Sequence, residues 1–421
     1  MVAVDLAYGQ ASFKFEFDHS KFSVLNLPSG SETPLSDLEI GAAFDNPIDS
    51  PPLDEVVSPI DTVLIVVSDA TRATGSPQIV NLLVRRLIQC GVSPANMAVI
   101  FATGIHRPVT ADEKVSLLSP FIVQRLRTLN HDAYDSGALI SVGTTESGVP
   151  AEVNRALREF SRVIIISGIA FHYFAGFTGG RKSICPGLAS DKTIEATHML
   201  ALDFEKGGRR AGVGTGLLVG NAVHEECERV ALMVNPAFGV NSIIDERHRV
   251  VRMFCGHWRS AHLDACNTYL IDHSLEISER RKLVIVSCGG FPYDINLIQA
   301  HKALDTAAYA CEEGGSIILL AECRDGLGRP DFLKWFTAVN SRALEKELRD
   351  GYEVNGQTAW ALLSKTERYQ VVLVSDLAEE DVLRMRMSPA RTLADALAHV
   401  GSATNGYIMP RGAAVLPRVV I

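Results

Sequence analysis

Hydrophobic and polar positions divide the chain into a short N-terminal alternating region followed by two series of strand, loop and helix. In "ASFKFEFD" (11–18) apolar and polar residues alternate with period two, which predicts an early hairpin or edge strands. The Pro-, Ser- and Asp-rich stretch "NPIDSPPLDEVVSP" (46–59) then reads as a connecting loop. Beyond it, "DTVLIVVSD", "NMAVIFATG" and "SRVIIISG" are continuous Val/Ile runs of strand length. Amphipathic stretches such as "SPQIVNLLVRRLIQCGV" lie between them, and Thr110 and Glu113 have the spacing of a capping box. Uninterrupted apolar strands alternating with helices predict a mostly parallel sheet covered on both faces.

Residues 190–275 read as helix and loop. A second series starts at "RKLVIVSCGG" and continues with helix "INLIQAHKALDTAAYACEEGG", strand "SIILLAEC", helix "PDFLKWFTAV" and strand "QVVLVSD". The expected fold is therefore α/β, with two α/β domains of mostly parallel sheets around an inter-domain cleft. The first domain is expected over 1–275 and the second over 276–404, with a tail of about 405–421 returning to the first.

A length of 421 residues agrees with two cores rather than one. A net charge of −9 excludes broad nucleic-acid binding through phosphate neutralisation, while leaving room for a local basic pocket. No apolar run reaches membrane-spanning length, and "MVAVDLAYGQ" has no signal-peptide pattern. The eight cysteines have no paired spacing and read as reduced thiols of a cytoplasmic protein.

Polar residues gather where the predicted strands end, the place where open α/β sheets bind ligands. The first strand delivers Asp69, Thr71 and Arg72, and the second delivers His106 and Arg107. The third opens into "GIAFHYFAGFTGGRKSICPG" (168–187), with His172, Gly179, Gly180, Arg181 and Lys182. The second series adds Gln299 and Lys302, three residues apart near the start of a helix. Taken singly, each has a plain structural role available, as a cap, a surface charge or a core histidine; the joint pattern is what points to a site. "GFTGGRKS" is no Walker loop, because Arg181 stands where that pattern needs Gly and "ICPG" follows where it needs a helix. A pocket for a phosphate or carboxylate remains. The glycines of "VGTGLLVGN" do not make a dinucleotide fingerprint.

Seven segments in order, "SDATR", "GIHRPVT", "NHDAYD", "FHYFAGFTGGRKSICPG", "THML", "GGFPYDINLIQAHKALDTA" and "VNGQTAW", resemble the nickel-dependent lactate racemase family. The resemblance implies a racemase or epimerase that inverts C2 of a 2-hydroxy acid with a nickel pincer nucleotide. That cofactor is a pyridinium mononucleotide whose two sulfur-bearing arms clasp nickel. It further implies that Lys182 carries the cofactor covalently, that His198 is the sole protein ligand of nickel, and that His106 and His172 are the acid/base pair. Asp69, Thr71, Arg72, Gly179 and Gly180 would hold the cofactor. Arg72, Gln299, Lys302, Ile298 and Trp360 would face the substrate, with Lys302 near its carboxylate. Ile298 stands where lactate-type members have Tyr, so the resemblance supports a 2-hydroxy acid more firmly than lactate itself. Its implied partners are the substrate and the proteins that make the cofactor, with a homodimer left open. Two rivals remain: a nicotinamide-type dehydrogenase of the same acids, and a cofactor-free, non-catalytic anion-binding protein.

Overall fold

The computed structural model describes residues 1–27, 33–401 and 405–420. It has two six-stranded sheets. The first has the order Val250–Gly256, Phe238–Ile244, Arg162–Gly168, Val63–Ser68, Met97–Ala102 and Arg127–Asn130. Every neighbouring pair is parallel except the first. The second sheet is parallel throughout: Ser388–Ala390, Gln370–Val374, Cys311–Leu320, Arg281–Ser287, Gly406–Met409 and Phe22–Val24.

Strand side chains alternate between faces, so each sheet feeds two apolar layers. Leu64 and Ile165 of the first sheet share a cluster with Val284 and Leu319 of the second. Ile65 and Val99 point the other way, into a separate core under helix Ser76–Gln89. That helix buries Ile79, Val80, Leu83, Val84 and Leu87, the three- and four-residue spacing of a core-facing stripe. The Thr110 capping box forms as expected.

Three expectations need correction. The 190–275 region holds two strands, Phe238–Ile244 and Val250–Gly256, as well as helices. "PDFLKWFTAV" forms only a 3₁₀ segment, Phe332–Thr337. The chain ends are also placed differently. Val2–Tyr8 and Ala11–Phe17 do pair as a hairpin, but Leu6 and Phe17 cover the outer face of the second sheet with Ile285 and Ile318. Phe22–Val24 then becomes that sheet's edge strand. The first 27 residues thus pack with the second sheet, because their apolar face finds its uncovered side. Gly406–Met409 likewise inserts into the second sheet, while the end of the tail does meet the first lobe: Leu416–Val419 pairs with Ser274–Ile277, Leu416 packs with Phe171 and Tyr269, and Arg411 lies 3.7 Å from Glu246. The expected domain end at 404 and the last residue, 421, lie outside the described residues.

Candidate active site

In the first sheet the chain runs outward from Val63–Ser68 through Met97–Ala102 in one direction and from Arg162–Gly168 in the other. The crevice at such a reversal is where open sheets bind ligands, beyond the strands' carboxyl ends. Asp69, His106 and the loop 169–187 all emerge there. Helix Leu297–Ala310 of the second lobe closes the opposite side, its N-cap Asn296 accepting from the Gln299 amide. One cleft is lined by Asp69, Arg72, His106, His172, Gly179, Lys182 and His198 from the first lobe and by Ile298, Gln299 and Lys302 from the second.

Asp69 is buried and forms the rigid end of a dyad. Its Oδ2 lies 2.6 Å from His106 Nδ1, and its Oδ1 accepts from the Thr71 hydroxyl at 2.6 Å and the Thr71 amide at 3.0 Å. Burial alone would raise its pKa, but the bond and charge of His106, the Thr71 bond and Arg72 outweigh it and hold the carboxyl at about 2. The ionised carboxylate fixes Nδ1–H of His106, which leaves Nε2 as the open nitrogen of a half-exposed ring. Thr71 itself is a buttress of Asp69 and does not line the cleft.

His172 and Lys182 meet in the glycine-rich loop, where Nε2 lies 3.3 Å from Nζ. The Ala175 amide donates to His172 Nδ1 at 3.3 Å, so the ring proton sits on Nε2 and points at the lysine nitrogen. That contact requires an amine with a free lone pair. Burial, together with Arg72, Arg181 and Lys302, holds the Lys182 amine well below the usual lysine range, against the opposing influence of Cys227. Burial first, and beside it the cations Lys302 and Arg72, likewise push His172 well down. His198 closes helix Asp191–Met199; burial lowers it to about 3, so its imidazole is neutral.

The loop's own shape comes from glycine and arginine. Gly179 and Gly180 both have positive φ, +78° and +52°. A Cβ on Gly180 would come within 2.4 Å of the His262 ring, so only glycine fits where the loop packs on His262. Arg181, placed among the site cations by sequence, is turned under the loop as well. Its guanidinium donates to the carbonyls of Ala175 at 2.7 Å and Gly179 at 3.3 Å, tying together the segments that carry His172 and Lys182.

Across the cleft, Lys302 Nζ donates to Gln299 Oε1, as their spacing predicted. Burial and then Arg72 lower Lys302 to about 7, partly offset by Asp69. Trp360 is not part of the cleft. Its indole N–H donates to Glu345 Oε1 at 2.9 Å, behind the wall. The earlier turn of the same helix, Gly356–Thr366, supplies Gln357 and Thr358 instead. Tyr173, Phe174, Pro186 and His301 also line the cleft and were not singled out from sequence. His301 could have been noticed between Gln299 and Lys302, and Tyr173 and Phe174 beside His172.

These residues fit a nucleotide-bearing metal cofactor joined through an amine. Lys182 offers a neutral nitrogen, His198 a neutral imidazole, and Arg72 a cation near Lys182. Among the described residues no group of three His, Cys, Asp or Glu side chains is arranged to hold a metal, so a metal at His198 would take its other donors from the cofactor.

Comparison with known proteins agrees with this layout. A family model for the lactate racemase N-terminal domain matches residues 8–208, and one for the lactate racemase C-terminal domain matches 277–416. Lactate racemase of Thermoanaerobacterium thermosaccharolyticum is 30% identical over 99% of this chain and 100% of its own length. That of Lactiplantibacillus plantarum is 31% identical over the same shares. The solved lactate racemase apoprotein from T. thermosaccharolyticum superposes with a TM-score of 0.90 at 29% identity, over 99% of this chain and 100% of that one. A Thermotoga maritima protein, 19% identical, shares the fold with a TM-score of 0.70 over 92% of this chain.

Proposed function

The chain belongs to the lactate racemase family, isomerases acting on a hydroxy acid, and from that premise we propose that it inverts C2 of a 2-hydroxy acid with a nickel pincer nucleotide on Lys182. The observation that carries the proposal is a single cleft. It holds the Asp69–His106 dyad, a His172 that touches a neutral Lys182, the neutral His198, and Lys302 opposite them.

The C2–H bond next to a carboxylate is a poor acid, because removing its proton adds charge beside charge. Loss of hydride from C2 and of the proton from the hydroxyl leaves a planar 2-keto acid, which can be reduced from either face. When bound, the cofactor would supply a cationic ring able to take up that hydride and give it back, and His198 would hold its nickel. The protein's part is to bind, orient and move the hydroxyl proton. His106, oriented by Asp69, holds or releases a proton at Nε2. His172 is the second imidazole available to that proton, on the other loop, and burial keeps its ring neutral before a ligand binds. Lys302 and Arg72 are the cations available to the carboxylate, holding the acid in place while it changes face. Two histidines are needed because the hydroxyls of the two mirror-image acids approach from different directions. The cofactor-synthesis proteins are the partners this reading requires.

A nicotinamide-type dehydrogenase is less well supported, since no dinucleotide fingerprint follows the first strand. The test is to purify the protein from cells that make the cofactor, weigh it intact, and assay each pure enantiomer of several 2-hydroxy acids. A nucleotide adduct together with inversion supports the proposal. An adduct-free protein that inverts the acids equally well would overturn it.

A further inference from the structure

The second-lobe wall of the cleft holds two buried hydrogen-bond acceptors that the mechanism does not use. Nε2 of His301 and Oε1 of Gln357 have no partner, and both side chains are 4% exposed. Both residues line the cleft. The chemistry of His301 is fixed by its other ring nitrogen. His301 Nδ1 lies 2.6 Å from the Ile298 carbonyl, which only accepts, so Nδ1 carries the ring proton and Nε2 presents a bare lone pair. Burial keeps this ring neutral at physiological pH, so Nε2 stays an acceptor. The Tyr173 hydroxyl meets Thr358 Oγ1 at 2.8 Å, on the residue next to Gln357. Tyr173 packs edge-on to His301 with ring centroids 4.4 Å apart, so it joins the two residues into one unit.

Buried acceptors without partners are rare in native proteins, because each loses its water and gains nothing in return. Two of them on one wall of a ligand cleft call for donors from the ligand. Lactate has none to give there: beyond C2 it carries only a methyl group, and its C2 hydroxyl proton belongs to the histidines. We infer that His301 and Gln357 form a subsite for side-chain hydroxyl groups, and that the preferred substrate is a polyhydroxy acid bearing a hydroxyl at C3 or beyond. The inference rests on the proposed C2 inversion and adds the substrate class to it. Hydroxyl donors could also come from the ribose of the cofactor. The substrate is favoured because both acceptors lie on the lobe that carries Lys302, across the cleft from Lys182.

The test compares lactate with 2,3-dihydroxypropanoate, which differs by one hydroxyl, on cofactor-loaded protein. A site built to bond a hydroxyl discriminates strongly against the analogue lacking it. We expect kcat/KM for the dihydroxy acid to exceed that for lactate by about 10²-fold or more. His301→Phe and Gln357→Met should each shrink this ratio at least roughly tenfold, whereas His301→Gln, which keeps an acceptor, should retain more of it. The substrate comparison needs no variant, so a misfolded mutant leaves the test intact. Equal or better turnover of lactate by the unaltered protein overturns the subsite while leaving C2 inversion standing. Inversion of neither acid by loaded protein overturns the proposed function itself. If the variants lose the nucleotide adduct by intact mass while the substrate ratio stays put, the hydroxyls are those of the ribose, and the substrate assignment is wrong.

Discussion

The two walls of the cleft are built in opposite ways. On the first-lobe wall the reactive side chains are tied to their own lobe: Asp69 to Thr71 and His106, His172 to Ala175 and Lys182, with Arg181 bonded to the loop carbonyls beneath. Its groups are held in neutral or paired states before any ligand arrives. On the second-lobe wall Lys302 sits at about 7, poised to change charge, and His301 and Gln357 keep unused acceptors. A wall complete in itself suits a fixed cofactor and a fixed reaction. A wall with open valences suits the part of the ligand that varies.

The comparison breaks most sharply at Lys182. Lys182→Ala and Lys182→Arg should both abolish the cofactor adduct and reduce inversion to background, because neither offers a neutral amine; intact mass and a chiral assay read both. An adduct surviving on the arginine variant would show that the first-lobe wall is not built around that nitrogen. His106→Ala and His172→Ala should each cost about 10²–10⁴-fold in kcat with the adduct retained. Asp69→Asn should fall toward the same range, since the carboxylate sets the tautomer of His106.

Second-lobe changes should act on binding rather than on chemistry. Lys302 holds a carboxylate only when protonated. Its charge is present below about pH 7 and is lost as pH rises through that value. KM should therefore be flat on the acid side and climb by up to about tenfold per pH unit above it. Lys302→Met should show a high KM without that rise. The smallest effect belongs behind the wall. Trp360→Phe should change kcat less than about threefold and lower stability by about 1 kcal/mol in a denaturant titration, through loss of the bond to Glu345.

Strand ends and the glycine-rich loop were legible in the sequence because their pattern is local: apolar runs stop where His106, His172 and Lys182 begin. The strand Phe238–Ile244 was hidden by its own polar residues. Asn241 and Ser242 are buried in it, bonded to Ser167 and to the Thr74 carbonyl, so "FGVNSII" lacks the unbroken apolar look of its neighbours. Phe22–Val24 and Gly406–Met409 could not be assigned to a sheet, because their pairing joins residues almost 400 positions apart. Trp360 was misplaced for a related reason. Sequence identifies the helix Gly356–Thr366, but only packing decides that its first turn borders the cleft and the next turns to Glu345.

The central claim is that the two histidines move a hydroxyl proton while the C2 hydrogen travels as hydride and never reaches solvent. Cofactor-loaded protein should be given a single enantiomer of a 2-hydroxy acid carrying deuterium at C2, in ordinary water, and the inverted product analysed by mass spectrometry. The account predicts that the inverted product keeps its deuterium. Product that has exchanged its C2 label for solvent hydrogen during each inversion would mean that a histidine takes the proton from carbon, and would contradict the account.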